Sequence, residues 1–171
     1  LMSFKNYITE IPNFPIDGVG FKDLSPLLSD KKMFRWAVID MGNLVNKPDY
    51  WIGIESRGFV FASALAMHFG GGVVCARKEG KTPTAKHTIS YDLEYGSATL
   101  EMAHVEHLDS SKAVIVDDVL ATGGTAYAAI QLLENFNCSL VECLFLLELS
   151  SLKGFNKIIN KRKKYFSLLK V

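Results

Sequence analysis

Val114-Ile115-Val116-Asp117-Asp118-Val119-Leu120-Ala121-Thr122-Gly123-Gly124-Thr125 is the stretch on which the reading of this chain turns. Apolar, β-branched residues lead straight into two adjacent carboxylates, and a small Thr/Gly loop follows. Beyond it Ala126, Ala129, Ile130, Leu133 and Phe136 recur at steps of three and four, as one face of an amphipathic helix does. The pattern predicts strand, loop and helix. The loop then lies at the carboxyl end of the strand, where open parallel sheets bind their ligands.

The loop has a physical use. Two glycines permit a tight turn and leave room for close approach. Unpaired N–H groups at the start of the next helix face outward with the positive end of its dipole. Thr122 and Thr125 add hydroxyl donors, so the place suits a phosphate monoester. Like charge keeps Asp117 and Asp118 off that phosphate; they match sugar hydroxyls, or a divalent cation held by hard oxygens. Phosphate, pentose and Mg2+ side by side describe a phosphorylated sugar. Singly, Asp-Asp could end a strand and Gly-Gly could make a turn; the ordered combination is what speaks for a site.

The 171 residues fit one domain with a proper core, and 49% hydrophobic with 22% charged residues is the balance of a globular protein. A net charge of +1 gives no reason to expect nucleic acid or an anionic membrane as partner. There is no apolar run of membrane-spanning length and no signal-peptide core at the start, which predicts a cytoplasmic protein. Cys75, Cys138 and Cys143 cannot all pair and sit among apolar neighbours, so buried reduced thiols are expected; with His68, His87, His104 and His107 they show no zinc spacing.

Working outward, Tyr50–Ile54 reads as a buried strand, followed by Glu55-Ser56-Arg57-Gly58-Phe59 and a helix through Phe61, Ala64, Leu65 and Met67. Ser56 stands three residues after Gly53, not two, so this is no nucleophile elbow. Arg57 at a strand end favours anion binding over a surface salt bridge. A third strand, Gly72–Lys78, closes on Glu79-Gly80-Lys81-Thr82-Pro83, with Arg77, Lys78 and Lys81 bunched at its end. Residues 84–97 are polar without clear period, the mark of a lid or a disordered loop, and Ala98–Met102 alternates like a hood or edge strand. His104 and His107 flank a polar turn and are expected to face solvent. Ser139–Leu149 is near-continuously apolar, as a covered parallel strand should be, and Tyr165–Leu169 adds a last strand. The basic run Lys161–Lys164 reads as a solvated turn. At the start, Ser3 caps a predicted short helix with Phe4, Tyr7, Ile8 and Ile11 on one side, and Asn13–Asp23 is too rich in Gly and Pro for regular structure. Asp30 caps a helix running through Val45 to Asn46.

The central run resembles the phosphoribosyl-diphosphate signature of the type I phosphoribosyltransferases, and its Asp-Asp-Val-Leu-Ala-Thr-Gly-Gly-Thr form is similar to the members that use adenine. The resemblance extends from about Phe14 to Leu169. It implies one domain over 1–171, a mainly parallel twisted sheet flanked by helices (α/β), and a flexible hood at about 84–104. It implies purine salvage: transfer of the phosphoribosyl group from phosphoribosyl diphosphate to adenine, giving AMP and diphosphate with Mg2+. Asp117 and Asp118 would orient the ribose with the metal near them, mainly on substrate oxygens and water, and Ala121, Thr122, Gly123, Gly124 and Thr125 would hold the 5-phosphate. Ser56, Arg57, Arg77, Lys78, Lys81 and Tyr95 would surround the diphosphate, with Arg57 and Lys81 catalytic. Glu94, in Tyr91-Asp92-Leu93-Glu94-Tyr95-Gly96, would handle the proton near purine N7 or N9. Gly20, Phe21, Lys22 and Leu149 would form the adenine pocket.

The resemblance also implies a non-proline cis peptide at Glu55–Ser56 and a homodimer. Three positions depart from the pattern: Lys22 stands for the usual Arg, Thr82 for Leu, and Ala62 for Gly. Ala121 stands where 6-oxopurine enzymes have Asp, which argues against hypoxanthine and guanine. The alternatives are a transferase for orotate or another base, and a non-catalytic regulator of the same fold that senses phosphoribosyl diphosphate. A P-loop kinase is excluded by the missing motif.

Overall fold

The computed structural model describes residues 3–14, 17–18, 20–92 and 97–171. A short 3-10 turn, Phe4–Tyr7, leads into a two-stranded antiparallel ribbon of β1 (Thr9–Ile11) and β2 (Phe21–Asp23), paired Thr9 to Asp23, Glu10 to Lys22 and Ile11 to Phe21. Two helices follow, α1 (Ser25–Ser29) and α2 (Lys31–Gly42). The main sheet then begins with β3 (Tyr50–Ile54), α3 (Arg57–Phe69) and β4 (Gly72–Lys78). A hairpin of β5 (Ala85–Asp92) and β6 (Ser97–Ala103) is followed by β7 (Lys112–Leu120) and α4 (Gly124–Leu133). The chain ends with β8 (Leu140–Glu148), α5 (Phe155–Asn160) and β9 (Lys164–Lys170). The strand order is β5-β6-β4-β3-β7-β8-β9, parallel from β4 through β9 and antiparallel at β4–β6 and β5–β6.

The apolar runs of β7 and β8 serve both faces of the sheet. Ile115, Cys143 and Phe145 pack with Ala126, Ala129, Ile130 and Leu133 of α4 on one side. Val114, Val116, Leu144 and Leu146 pack with Ala37, Val38 and Met41 of α2 and Phe61 and Leu65 of α3 on the other. Each such side chain, fully buried, contributes roughly 1.5–3 kcal/mol relative to exposure. That layer holds the strand ends, and hence the acids and loops at them, in fixed positions. The strands quoted from the sequence thus appear nearly where expected, and the Glu55–Ser56 peptide is cis. Ala62 packs on the strand at Gly53, where an added Cβ would lie 3.0 Å from its own, so this departure adjusts helix packing.

Several expectations need correction. Ile8 and Ile11 are not helical: Ser3 makes no side-chain cap, and Thr9–Ile11 is a strand because the chain reverses and finds Phe21–Asp23 to pair with. For the same reason Asn13–Asp23 is not wholly irregular. Helix α2 stops at Gly42, short of Leu44 and Val45, although Asp30 caps it as predicted by accepting from Lys32 and Met33 N–H. Phe136 is buried but lies beyond the end of α4, and Met67 of α3 is 88% exposed. The polar stretch after Thr84 is a strand for most of its length, and β6 lies inside the sheet while β5 forms the edge. All three cysteines are free, but only Cys143 is buried, its thiol pushed up to about 12 by desolvation; Cys138 is half-buried and Cys75 exposed. His104 and His107 are exposed as expected.

Candidate active site

The loops after β3, β4 and β7 meet at the carboxyl ends of their strands. After β7 the chain turns through Ala121–Gly123 into α4, with Gly123 in the left-handed region at φ 75°. Ala121, Thr122, Gly123, Gly124 and Thr125 line a small cavity of about 70 Å³ together with Asp117. The loop is held from behind by backbone. A Cβ on Gly123 would stand 2.3 Å from the Gly154 carbonyl oxygen, and one on Gly154 would stand 2.1 Å from that of Ala121. Gly154 carried no chemical signal in the sequence; its role is visible as contact alone.

Beside this cavity lies a larger one of about 400 Å³, lined by Glu55, Ser56, Arg57, Lys78, Tyr91, Ala98, Leu100, Asp117, Asp118 and Thr125. It brings together predicted residues from all three loops. Asp118 is buried and pairs with Arg57, Nε to Oδ2 at 2.5 Å. Asp117 Oδ1 accepts from Asp118 N–H at 2.9 Å. Burial, and then the neighbouring Asp118 charge, hold the Asp117 carboxyl well above the usual aspartate range. Gly58 lets α3 approach this acid: a Cβ there would lie 2.6 Å from Val116 O and 3.2 Å from Asp117 Oδ1.

The basic groups after β4 are organised by two carboxylates that sequence reasoning passed over. Glu55 Oε1 accepts from Lys81 Nζ at 2.6 Å, its Oε2 from Lys78 N–H at 2.9 Å, and Arg77 Nε stands 3.9 Å away. The Lys81 hydrogen bond holds the Glu55 carboxyl below its ordinary range. Buried Glu101, on β6, accepts from the N–H groups of Gly80, Lys81 and Thr82 at 3.2, 2.8 and 2.5 Å. Arg77 Nη1 closes the turn by donating to Lys81 O at 2.6 Å.

The ribbon stands over the other side. Arg57 lies 5.2 Å from the Phe21 ring centroid, linking the ribbon to the acids, and Phe14 meets Phe21 edge-on at 5.2 Å. Lys22 points the other way, as strand alternation requires, and pairs with Glu10 directly opposite at 2.8 Å. Its side chain therefore neither stacks on a base nor reaches a carboxylate in the cavity. Lys22→Arg should leave kcat/KM for the base within about twofold, since arginine keeps the charge that faces exposed Glu10 and the pair lies away from the cavity; a tenfold change in steady-state assays would put this side chain in the pocket. Gly20 is exposed, and Leu149 is half-buried with its N–H on Leu120 O. Glu94 and Tyr95 lie outside the described residues.

Among the described residues no group of three or more His, Cys, Asp or Glu gathers round a metal position. The donor chemistry at Asp117 and Asp118 still fits Mg2+, which keeps its waters and takes one or two carboxylates plus substrate oxygens.

Residues 31–169 match the model of the phosphoribosyl transferase domain. The chain is 44% identical over 157 residues to adenine phosphoribosyltransferase from Nostoc punctiforme, covering 90% of this chain and 91% of that one. Among solved structures it is similar to the Saccharomyces cerevisiae adenine phosphoribosyltransferase, complexed with an imino-altritol bisphosphate and adenine, at 36% identity and TM-score 0.89, covering 97% and 96% of the two chains. The Giardia lamblia enzyme complexed with 9-deazaadenine is similar at 33% identity and TM-score 0.91, covering 100% and 99%. With that match over nearly its whole length, on a sheet that carries the Thr/Gly loop and paired acids where the motif requires them, the chain belongs to the phosphoribosyltransferases, in the adenine phosphoribosyltransferase family.

Proposed function

We propose that the chain transfers the 5-phosphoribosyl group of phosphoribosyl diphosphate to N9 of adenine, giving AMP and diphosphate in purine salvage, and that residues 1–171 act as one domain with a hood at about 84–104. The observation that carries this is the meeting of Thr125, the two acids, Ser56, Arg57 and Lys78 around one cavity. Backbone N–H groups and hydroxyls of Ala121–Thr125 hold the 5-phosphate. Asp117 and Asp118 accept from the ribose 2- and 3-hydroxyls and turn C1 toward the base. Phe21 and Leu149 flank the purine ring, and backbone groups of Gly20 and Lys22 read its edge.

As N9 attacks C1, the C1–O bond breaks and its electron pair leaves with the diphosphate. Negative charge grows there, so Arg57 and Lys81, with Ser56, Arg77 and Lys78 around them, stabilise the transition state more than the ground state. Asp117 and Asp118 would hold Mg2+ together with substrate oxygens and water, and when bound it would supply further neutralisation of the diphosphate. Glu94 handles the proton near N7 or N9, and Tyr95 closes with the hood to keep water from the cationic sugar.

The test mixes purified protein with Mg2+, phosphoribosyl diphosphate and each nucleobase. AMP from adenine alone is the expected result; turnover of hypoxanthine or orotate instead would overturn the substrate assignment. We also read the chain as a cytoplasmic homodimer. Supporting the dimer, α2 exposes the apolar Trp36 and α3 exposes Val60 and Met67. Sedimentation at the mass of one 19.0 kDa chain would remove the dimer.

A further inference from the structure

Lys81 is assigned above to the diphosphate, yet its ammonium is engaged elsewhere. It ends on Glu55 at 2.6 Å, and Glu55 is itself one of the residues that line the cavity. A diphosphate entering the cavity meets a carboxylate of like charge whose nearest cation is the very group it needs. The backbone of Lys81 is fixed independently, by Glu101 on its N–H and by Arg77 on its carbonyl. Its side chain is half-exposed, so the ammonium can leave Glu55 by side-chain rotation alone. Glu55 stays in place without Lys81, because its other oxygen accepts from Lys78 N–H and its side chain is only 9% exposed.

We infer that Glu55 is a positioning residue that exchanges Lys81 with the diphosphate: it holds the ammonium in an ion pair, yields it when diphosphate binds, and takes it back as diphosphate leaves. The inference rests on the reading of Lys81 as a diphosphate ligand. It makes an unusual demand, since removing a charge from the site should tighten binding. A carboxylate that merely shaped the loop would weaken binding when altered.

Glu55→Gln is the suitable variant, because the amide keeps an acceptor for Lys78 N–H while losing the ion pair. Titration calorimetry with Mg2+ and diphosphate should show binding tightened about three- to tenfold, and product inhibition by diphosphate should deepen in step. Lys81→Ala should weaken binding, and in that background Glu55→Gln should tighten it by clearly less than in the unaltered chain, because only the charge repulsion is then relieved. Unchanged or weaker binding in Glu55→Gln overturns the exchange. So does a tightening just as large without Lys81, which would be plain charge repulsion. If Lys81→Ala leaves diphosphate affinity as it was, the ligand assignment falls and the exchange with it. Failure of the functional reading would look different, as absence of AMP from the unaltered protein. A measurement free of variant folding is the side-chain NMR signal of 13C-methylated Lys81 in the otherwise unaltered chain. It should shift on adding diphosphate, and a static signal overturns the proposal.

Discussion

Gly154→Ala is expected to lower kcat/KM for nucleotide formation by about 100-fold or more, with most of the loss in the handling of phosphoribosyl diphosphate. Gly154 has φ −59° and ψ −25°, a conformation any residue adopts, so the cost is not one of backbone strain. It is purely steric. The new Cβ would stand 2.1 Å from Ala121 O, 2.7 Å from Gly123 N and 2.8 Å from Thr122 C. All three are backbone atoms of the loop proposed to hold the 5-phosphate, and no flexible side chain is available to give way. Gly123 cannot retreat easily, since it already holds φ 75° against the Gly154 carbonyl. The loop must shift by roughly an ångström, and a misplacement of that size costs about 100-fold when geometry governs the reaction. Overpacking should also cost about 1–3 kcal/mol of stability. Steady-state kinetics and thermal unfolding of the variant check both effects. A normal KM for phosphoribosyl diphosphate would mean that the loop does not carry the 5-phosphate.

How much of this was legible beforehand follows from where each signal lies. The β7 strand, its acids, its loop and the start of α4 are contiguous, and local chemistry wrote them: β-branched residues for a covered strand, glycines for a turn, then a helical period. The ribbon is the opposite case. Its strands have three residues each and pair Thr9 with Asp23 across a Pro- and Gly-rich stretch, so neither period nor propensity had room to show. The β5 strand did leave a trace that went unread, with Ile89 and Tyr91 alternating onto the α4-side core. Its polar neighbours made it resemble a loop. Glu55 and Glu101 were invisible for another reason. A carboxylate that accepts from N–H groups 20 or so positions away has the same letter as a surface glutamate. Gly154 against Gly123 is likewise a tertiary contact, with no local mark of its own.

Asp117→Asn should move stability and activity in opposite directions. Burial and the adjacent Asp118 raise the Asp117 pKa in the folded chain well above its ordinary value. A carboxyl raised in this way favours the folded state in its protonated form. Its stabilising contribution is complete below the unfolded value of about 4 and is lost as pH climbs through the raised folded value. At neutral pH the carboxyl therefore supports the fold less than it does in acid. Asparagine removes the charge and keeps an Oδ1 to accept from Asp118 N–H, the bond seen at 2.9 Å. The melting temperature should rise by about 2–4 °C at pH 7–8, the shift that roughly 1 kcal/mol produces in a chain of this size, and the gain should fade as pH falls toward 4. Activity should fall about 10- to 100-fold. A charge-assisted hydrogen bond to the ribose, worth about 1.5–3 kcal/mol, is replaced by a neutral one, and a hard ligand near the metal is lost. Melting curves across pH, set beside kcat/KM for phosphoribosyl diphosphate, separate the possibilities. If stability and activity drop together, Asp117 is a structural strand-end acid; if they diverge, the fold carries an unfavourable charge because the pentose requires it.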